Sequence, residues 1–94
     1  MGKIYISGKI TGDENYKAKF ADSEWRLVKS GWKSIVNPAR LSPCNTWENY
    51  MLRDIKLLFT CTAIYMLKDW KESKGARIEH AIALNINLLI IYQE

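Results

Sequence analysis

Short apolar runs alternate with stretches of helical periodicity along the whole of this chain, and that alternation limits the folds open to it. Lys3–Ser7, Trp32–Val36, Thr62–Leu67 and Leu88–Tyr92 read as strands. Between them, Asn15–Ser30, Trp47 to about Phe59, and Ser73–Asn85 read as helices. A βαβαβαβ order means a parallel sheet with helices on its faces, joined by right-handed crossovers. The expected architecture is a three-layer α/β domain, Rossmann-like or flavodoxin-like, with sheet order 2-1-3-4 and helices on both faces. The switch point then falls between the first and third strands. Two loops flank the crevice there, Gly8–Asp13 and Lys68–Glu72, and they bring Gly8, Asp13 and Ser73–Glu79 together although these are far apart in sequence.

Local signals support this division. Gly31 stands in the C′ place after the first helix, and Thr46 and Ser73 stand where N-caps belong. Helical spacing assigns the inward faces to Phe20, Trp25 and Leu27–Val28 in the first helix. In the second it assigns Met51, Leu52, Ile55, Leu58 and Phe59, and in the third Ile78, Ala81, Ile82 and Asn85. Ninety-four residues without a linker, repeat or low-complexity segment make one domain, residues 1–94, with a modest core. The longest apolar runs are strand-sized, so no membrane span is expected. Net charge +4 suits an anionic ligand, but the lysines are scattered, which argues against nucleic acid as the partner. Cys44 and Cys61 lack metal-ligand spacing and fit a reducing, cytoplasmic setting, Cys61 as a buried thiol.

Two acids stand out because their helical neighbours do not explain them. The residues three and four positions from Glu79 are Gly75, Ala76, Ile82 and Ala83, with no cation among them. Those around Asp54 are Tyr50, Met51, Leu57 and Leu58, and the adjacent Arg53 does not share its face. A carboxylate on an apolar face needs a reason. The plain alternative for each is a solvated surface charge. Glu79 lies about a turn and a half beyond Ser73 at the sheet's carboxyl edge, where ligands bind in open α/β folds. A helix N-terminus at Ser73-x-Gly75 offers free N–H groups to an anion, though a Ser N-cap is usually structural only. Gly8-Lys9-Ile10-Thr11-Gly12 lacks the spacing of known phosphate loops and alone is a βα turn. Trp47, Tyr50, Trp70 and Tyr5 could stack on a base or simply fill core and rim. His80, the only histidine, is expected to face solvent.

Taken together, Lys3-Ile4-Tyr5-Ile6-Ser7-Gly8-Lys9-Ile10-Thr11-Gly12, Trp47-x-x-Tyr50-Met51-x-x-Asp54, Ala63-Ile64-Tyr65-Met66-Leu67 and Ser73-x-Gly75-Ala76-x-x-Glu79-x-x-x-Ala83 resemble a small phage and bacterial domain-of-unknown-function family. That family looks like a compact branch of the nucleoside 2-deoxyribosyltransferase superfamily, and the resemblance runs over essentially the whole chain. It implies Glu79 as nucleophile and Asp54 as the assisting acid. It also implies a substrate loop at Gly8–Gly12 and a phosphate contact at Ser73 with Gly75; with the residues of the two loops flanking the crevice, the candidate substrate-binding set is Ser7, Gly8, Lys9, Ile10, Asp69, Trp70, Ser73 and Gly75. The loop Lys68–Glu72 departs from the superfamily's hydrolases, and the chain ends soon after its fourth strand, where the superfamily usually continues.

The expected function is cleavage of a base–sugar bond in a nucleoside or nucleoside 5′-monophosphate, by an N-glycosidase or deoxyribosyltransferase. The alternative is a non-catalytic module that senses or sequesters a nucleotide. No metal or other cofactor is implied. The expected partners are the small-molecule nucleoside or nucleotide and further copies of the chain, as a homodimer or higher homo-oligomer.

Overall fold

A computed structural model describes residues 2–94 and shows a four-stranded parallel sheet of order β2-β1-β3-β4. The elements follow in the order β1 (Lys3–Ser7), α1 (Tyr16–Lys29), β2 (Ser34–Val36), α2 (Trp47–Leu58), β3 (Ala63–Met66), α3 (Lys74–Asn85) and β4 (Leu89–Tyr92). Short 3-10 turns at Pro38–Arg40 and Trp70–Glu72 interrupt the loops read as irregular from sequence. Tyr5 pairs with Val36 on one side of β1 and with Ile64 on the other, and Ile64 pairs in turn with Ile90. The expected α/β architecture and strand order are thus present, with a layer of helix on each face. Among the described residues, no helix is long and apolar enough to cross a membrane.

Alternation along the strands divides the interior in two. Ile4 and Ile6 of β1, with Ala63, Tyr65 and Leu67, meet Phe20 and Leu27 of α1. Tyr5, Ile64 and Met66 point the other way and meet Leu58 of α2 and Ala76 and Ala83 of α3. Gly31 takes φ +105° after α1, the left-handed conformation that a glycine at C′ permits. Thr46 and Ser73 cap α2 and α3, accepting from the Asn49 and Ala76 amides at 3.1 Å each.

The helical faces are rotated from those expected. The fully inward residues are Phe20, Ser23 and Leu27 in α1, Met51, Asp54 and Leu58 in α2, and Ala76, Glu79 and Ala83 in α3. Leu52 and Phe59, expected inside, are 61% and 58% exposed, and Trp25, Val28, Ala81 and Asn85 also face outward. Hydropathy turned each stripe away from its polar member. In all three helices that member sits at the centre of an i, i+3, i+7 row facing the sheet. A hydrogen-bond partner for each offsets the cost of burying it.

Candidate functional site

The same alternation that puts Ile4 and Ile6 against α1 aims Tyr5 and Ser7 at α3. Glu79, 5% exposed, lies opposite them. The Tyr5 hydroxyl donates to Glu79 Oε2 at 2.6 Å and the Ser7 hydroxyl to Oε1 at 2.7 Å. Ala76 and Ala83 above and below are small, which lets α3 come close enough for these bonds. Burial pushes the Glu79 carboxyl up to about 7, against the two hydroxyl bonds, which favour the charged form, while the nearby Asp54 charge raises it further. Burial and the facing carboxylates push Tyr5 well above the usual phenol range, so it stays a hydrogen-bond donor at working pH.

Asp54 is the second buried acid, 6% exposed. It has a partner that helical spacing does not reveal: Arg53 Nε donates to Asp54 Oδ1 at 2.9 Å. Adjacent helical residues do not face each other, but an arginine side chain is long enough to fold back. Its guanidinium is anchored by the Ser42 carbonyl at 2.6 Å and lies 5.2 Å from the Tyr50 ring centre. Desolvation raises the Asp54 pKa above its ordinary value, and the Arg53 bond and charge oppose that rise.

Both acids line one cavity of about 170 Å³. Gly8, Ile10 and Thr11 form one wall, Trp47, Tyr50 and Met51 of α2 a second, and Ser73, Gly75 and Ala76 at the start of α3 a third. The Lys74 and Gly75 amides are first-turn N–H groups with no intrahelical acceptor. A Cβ at Gly8 would stand 2.8 Å from Leu67 Cβ, so a larger residue here would force the backbone to shift. The cavity therefore combines a carboxylate held by two hydroxyls, a second carboxylate, an aromatic wall and a helix N-terminus. It lies at the carboxyl end of β1, beside the switch point. Among the described residues, no group of three or more His, Cys, Asp or Glu side chains is placed to hold a metal ion.

The expected site residues separate into two groups. Glu79, Asp54, Gly8, Ile10, Ser73 and Gly75 line the cavity, and Ser7 reaches it through its bond to Glu79. Lys9, Asp69 and Trp70 do not line it. The Lys9 ammonium lies 4.0 Å from Glu72, and its amide donates to Asp69 Oδ1 at 3.0 Å. Asp69 also accepts from Lys19, as does Asp13, so Asp13 joins that ion cluster instead of the cavity. Trp70 stacks on His80 at 4.1 Å between ring centres. His80 is half-buried, not solvated as expected, with Nε2 2.7 Å from the Tyr92 hydroxyl. Cys61 is buried as expected, and Cys44 is half-buried beside Arg53.

Sequence reasoning undervalued Tyr5, taken only as a possible base-stacking ring, and missed Arg53 and Lys19. The period of two in Lys3–Ser7 already put Tyr5 and Ser7 on one face, a signal available without coordinates.

Fold and site together define a doubly wound α/β protein with paired acids in a cavity at its switch point, the place where open α/β sheets bind ligands when they bind them. Residues 2–92 match the model of the family described as a domain of unknown function, DUF4406, and the chain belongs to that family. No curated protein and no solved structure matches it.

Proposed function

We propose that the protein cleaves the bond between base and sugar in a nucleoside or nucleoside 5′-monophosphate, as an N-glycosidase or a deoxyribosyltransferase. The observation that carries this reading is Glu79, buried between two hydroxyl donors in a cavity it shares with Asp54. In this reading the ionised Glu79 attacks C1′. A C1′–O bond forms, and the C1′–N bond breaks with its electron pair on the base. Asp54 orients the sugar or Glu79 and helps deliver a proton to the departing base. Water then displaces Glu79 from C1′ and completes hydrolysis; a second base in its place completes transfer. The aromatic wall of Trp47 and Tyr50 suits a base, and the α3 N-terminus suits a 5′-phosphate.

The exposed apolar side chains Leu52, Phe59, Leu84 and Leu89 support assembly as a homodimer or higher oligomer, which sedimentation would measure. For the chemistry, the protein is incubated with a panel of nucleosides and 5′-nucleotides, and free base is followed by chromatography. Base release from one of them, abolished by Glu79→Ala, is the expected result. Unchanged release by that variant overturns the reading. Tight binding without product in both proteins points instead to a sequestering module.

A further inference from the structure

The loop after β1 supplies one wall of the cavity, and the loop after β3 leads into the start of α3, which supplies another. Gly8, Ile10 and Thr11 belong to the loop after β1, and Ser73 follows directly on the loop after β3. They are joined by a cluster that touches neither acid. Lys19, on the first turn of α1, donates its ammonium to the Lys9 carbonyl at 2.8 Å, to Asp13 and to Asp69. Asp69 closes the ring by accepting from the Lys9 amide at 3.0 Å. Asp13 also binds the Asn15 amide at 2.8 Å, and its own amide donates to the Ile10 carbonyl at 3.1 Å, which fixes the turn around Gly12. One ammonium therefore holds oxygens from the loop that lines the cavity and from the loop that leads into its α3 wall, and the ion-paired side chains are only about a fifth exposed, so water screens them less than a surface pair.

We infer that Lys19 is a positioning residue. Its brace to Asp69 sets the distance between the β1 loop and the α3 loop, and so the fit of the cavity to its ligand. The inference rests on the cavity being the substrate site. Glu79, Tyr5 and Ser7 sit on a helix and a strand outside the brace, so loosening it weakens binding while leaving the reacting groups in place. The oxygens facing Lys19 come from Asp13, Asp69 and the Lys9 backbone, and Glu72 reaches the cluster's edge through Lys9.

The test uses Lys19→Met, with Asp69→Asn as a second variant that keeps an oxygen for the Lys9 amide and removes only the charge. Amide exchange of residues 8–13 is measured in the free proteins, and KM and kcat are measured for base release. The expected result is exchange at residues 8–13 faster by about tenfold, with KM raised about tenfold and kcat within about threefold of the parent. Unchanged exchange overturns the brace whatever the activity. Faster exchange with unchanged KM overturns its link to the ligand. If the parent protein releases no base, the proposed function fails alone. Titration with 2′-deoxyadenosine 5′-monophosphate then takes the place of KM: an affinity loss of about tenfold in the variants supports the brace, and equal or absent binding overturns it.

Discussion

The two faces of the sheet are built from the same strands and the same helical spacing, yet they bury different polar groups. On the α1 face the row Phe20, Ser23, Leu27 carries a neutral polar centre, and the Ser23 hydroxyl is satisfied within its own helix by the Lys19 carbonyl at 3.1 Å. On the other face the rows Met51, Asp54, Leu58 and Ala76, Glu79, Ala83 carry carboxylates at that same centre. Holding them takes other parts of the fold: Tyr5 and Ser7 of β1 donate to Glu79, and Arg53, from Asp54's own helix, is held in its folded-back pose by the Ser42 carbonyl outside that helix. A hydroxyl bonded to its own helix asks nothing of the rest of the fold. A buried carboxylate does, and in the proposed function that difference separates packing from chemistry.

The largest contrast is in turnover. Glu79→Gln should lower base release at least about 10³-fold, because it removes the attacking group while keeping the shape. Ser23→Ala, the matching change on the α1 face, should leave turnover unchanged. A large loss in Ser23→Ala would break the comparison.

Stability should move the opposite way to activity. Glu79 holds its proton more tightly in the folded state, with a pKa raised from an ordinary 4.5 to about 7. The folded chain therefore binds more protons than the unfolded chain between those pH values, and stability falls as pH rises through that window. The displacement corresponds to on the order of 3 kcal/mol for Glu79. Glu79→Gln should thus match the parent near pH 4 and exceed it by up to about that amount at pH 8, measured by denaturant unfolding. An equal gap at both pH values would contradict the burial argument.

The two neighbours of Glu79 should shift its titration in opposite directions. The Tyr5 bond favours the ionised form and the Asp54 charge opposes it. Tyr5→Phe should move the acidic limb of kcat/KM above 7, with a loss of about ten- to a hundredfold in rate. Asp54→Asn should move the limb below 7. Shifts in the same direction would mean that one of the two does not act on Glu79. The smallest effect is the stability change in Ser23→Ala, about 1 kcal/mol or less by thermal unfolding, since its hydroxyl bond is local.

Most of the fold could be read from alternation. Apolar runs of strand length, the caps at Thr46 and Ser73, and Gly31 mark the elements to within one or two residues, because those signals are local. The inward faces were less legible. Hydropathy reads a carboxylate as outward, so α2 and α3 were rotated to put Leu52, Phe59, Ala81 and Asn85 inside, while the fold buries Asp54 and Glu79. The unexplained apolar neighbours of those two acids were the better guide. Arg53 escaped because side-chain length defeats a rule based on helical spacing. The Lys19 brace escaped because it joins three segments that only the tertiary structure brings together. Trp70 and Asp69 lie in a loop whose position was read correctly, but which way a loop side chain turns has no periodic signature.

The central claim is that Glu79 forms a bond to the sugar. It is tested most directly by base release in the presence of methanol, with the anomeric configuration of the methyl glycoside read by NMR. Two displacements, the first by Glu79, predict a product with the configuration of the starting nucleoside or nucleotide. An inverted product, or release of base that continues in Glu79→Gln, would contradict the account.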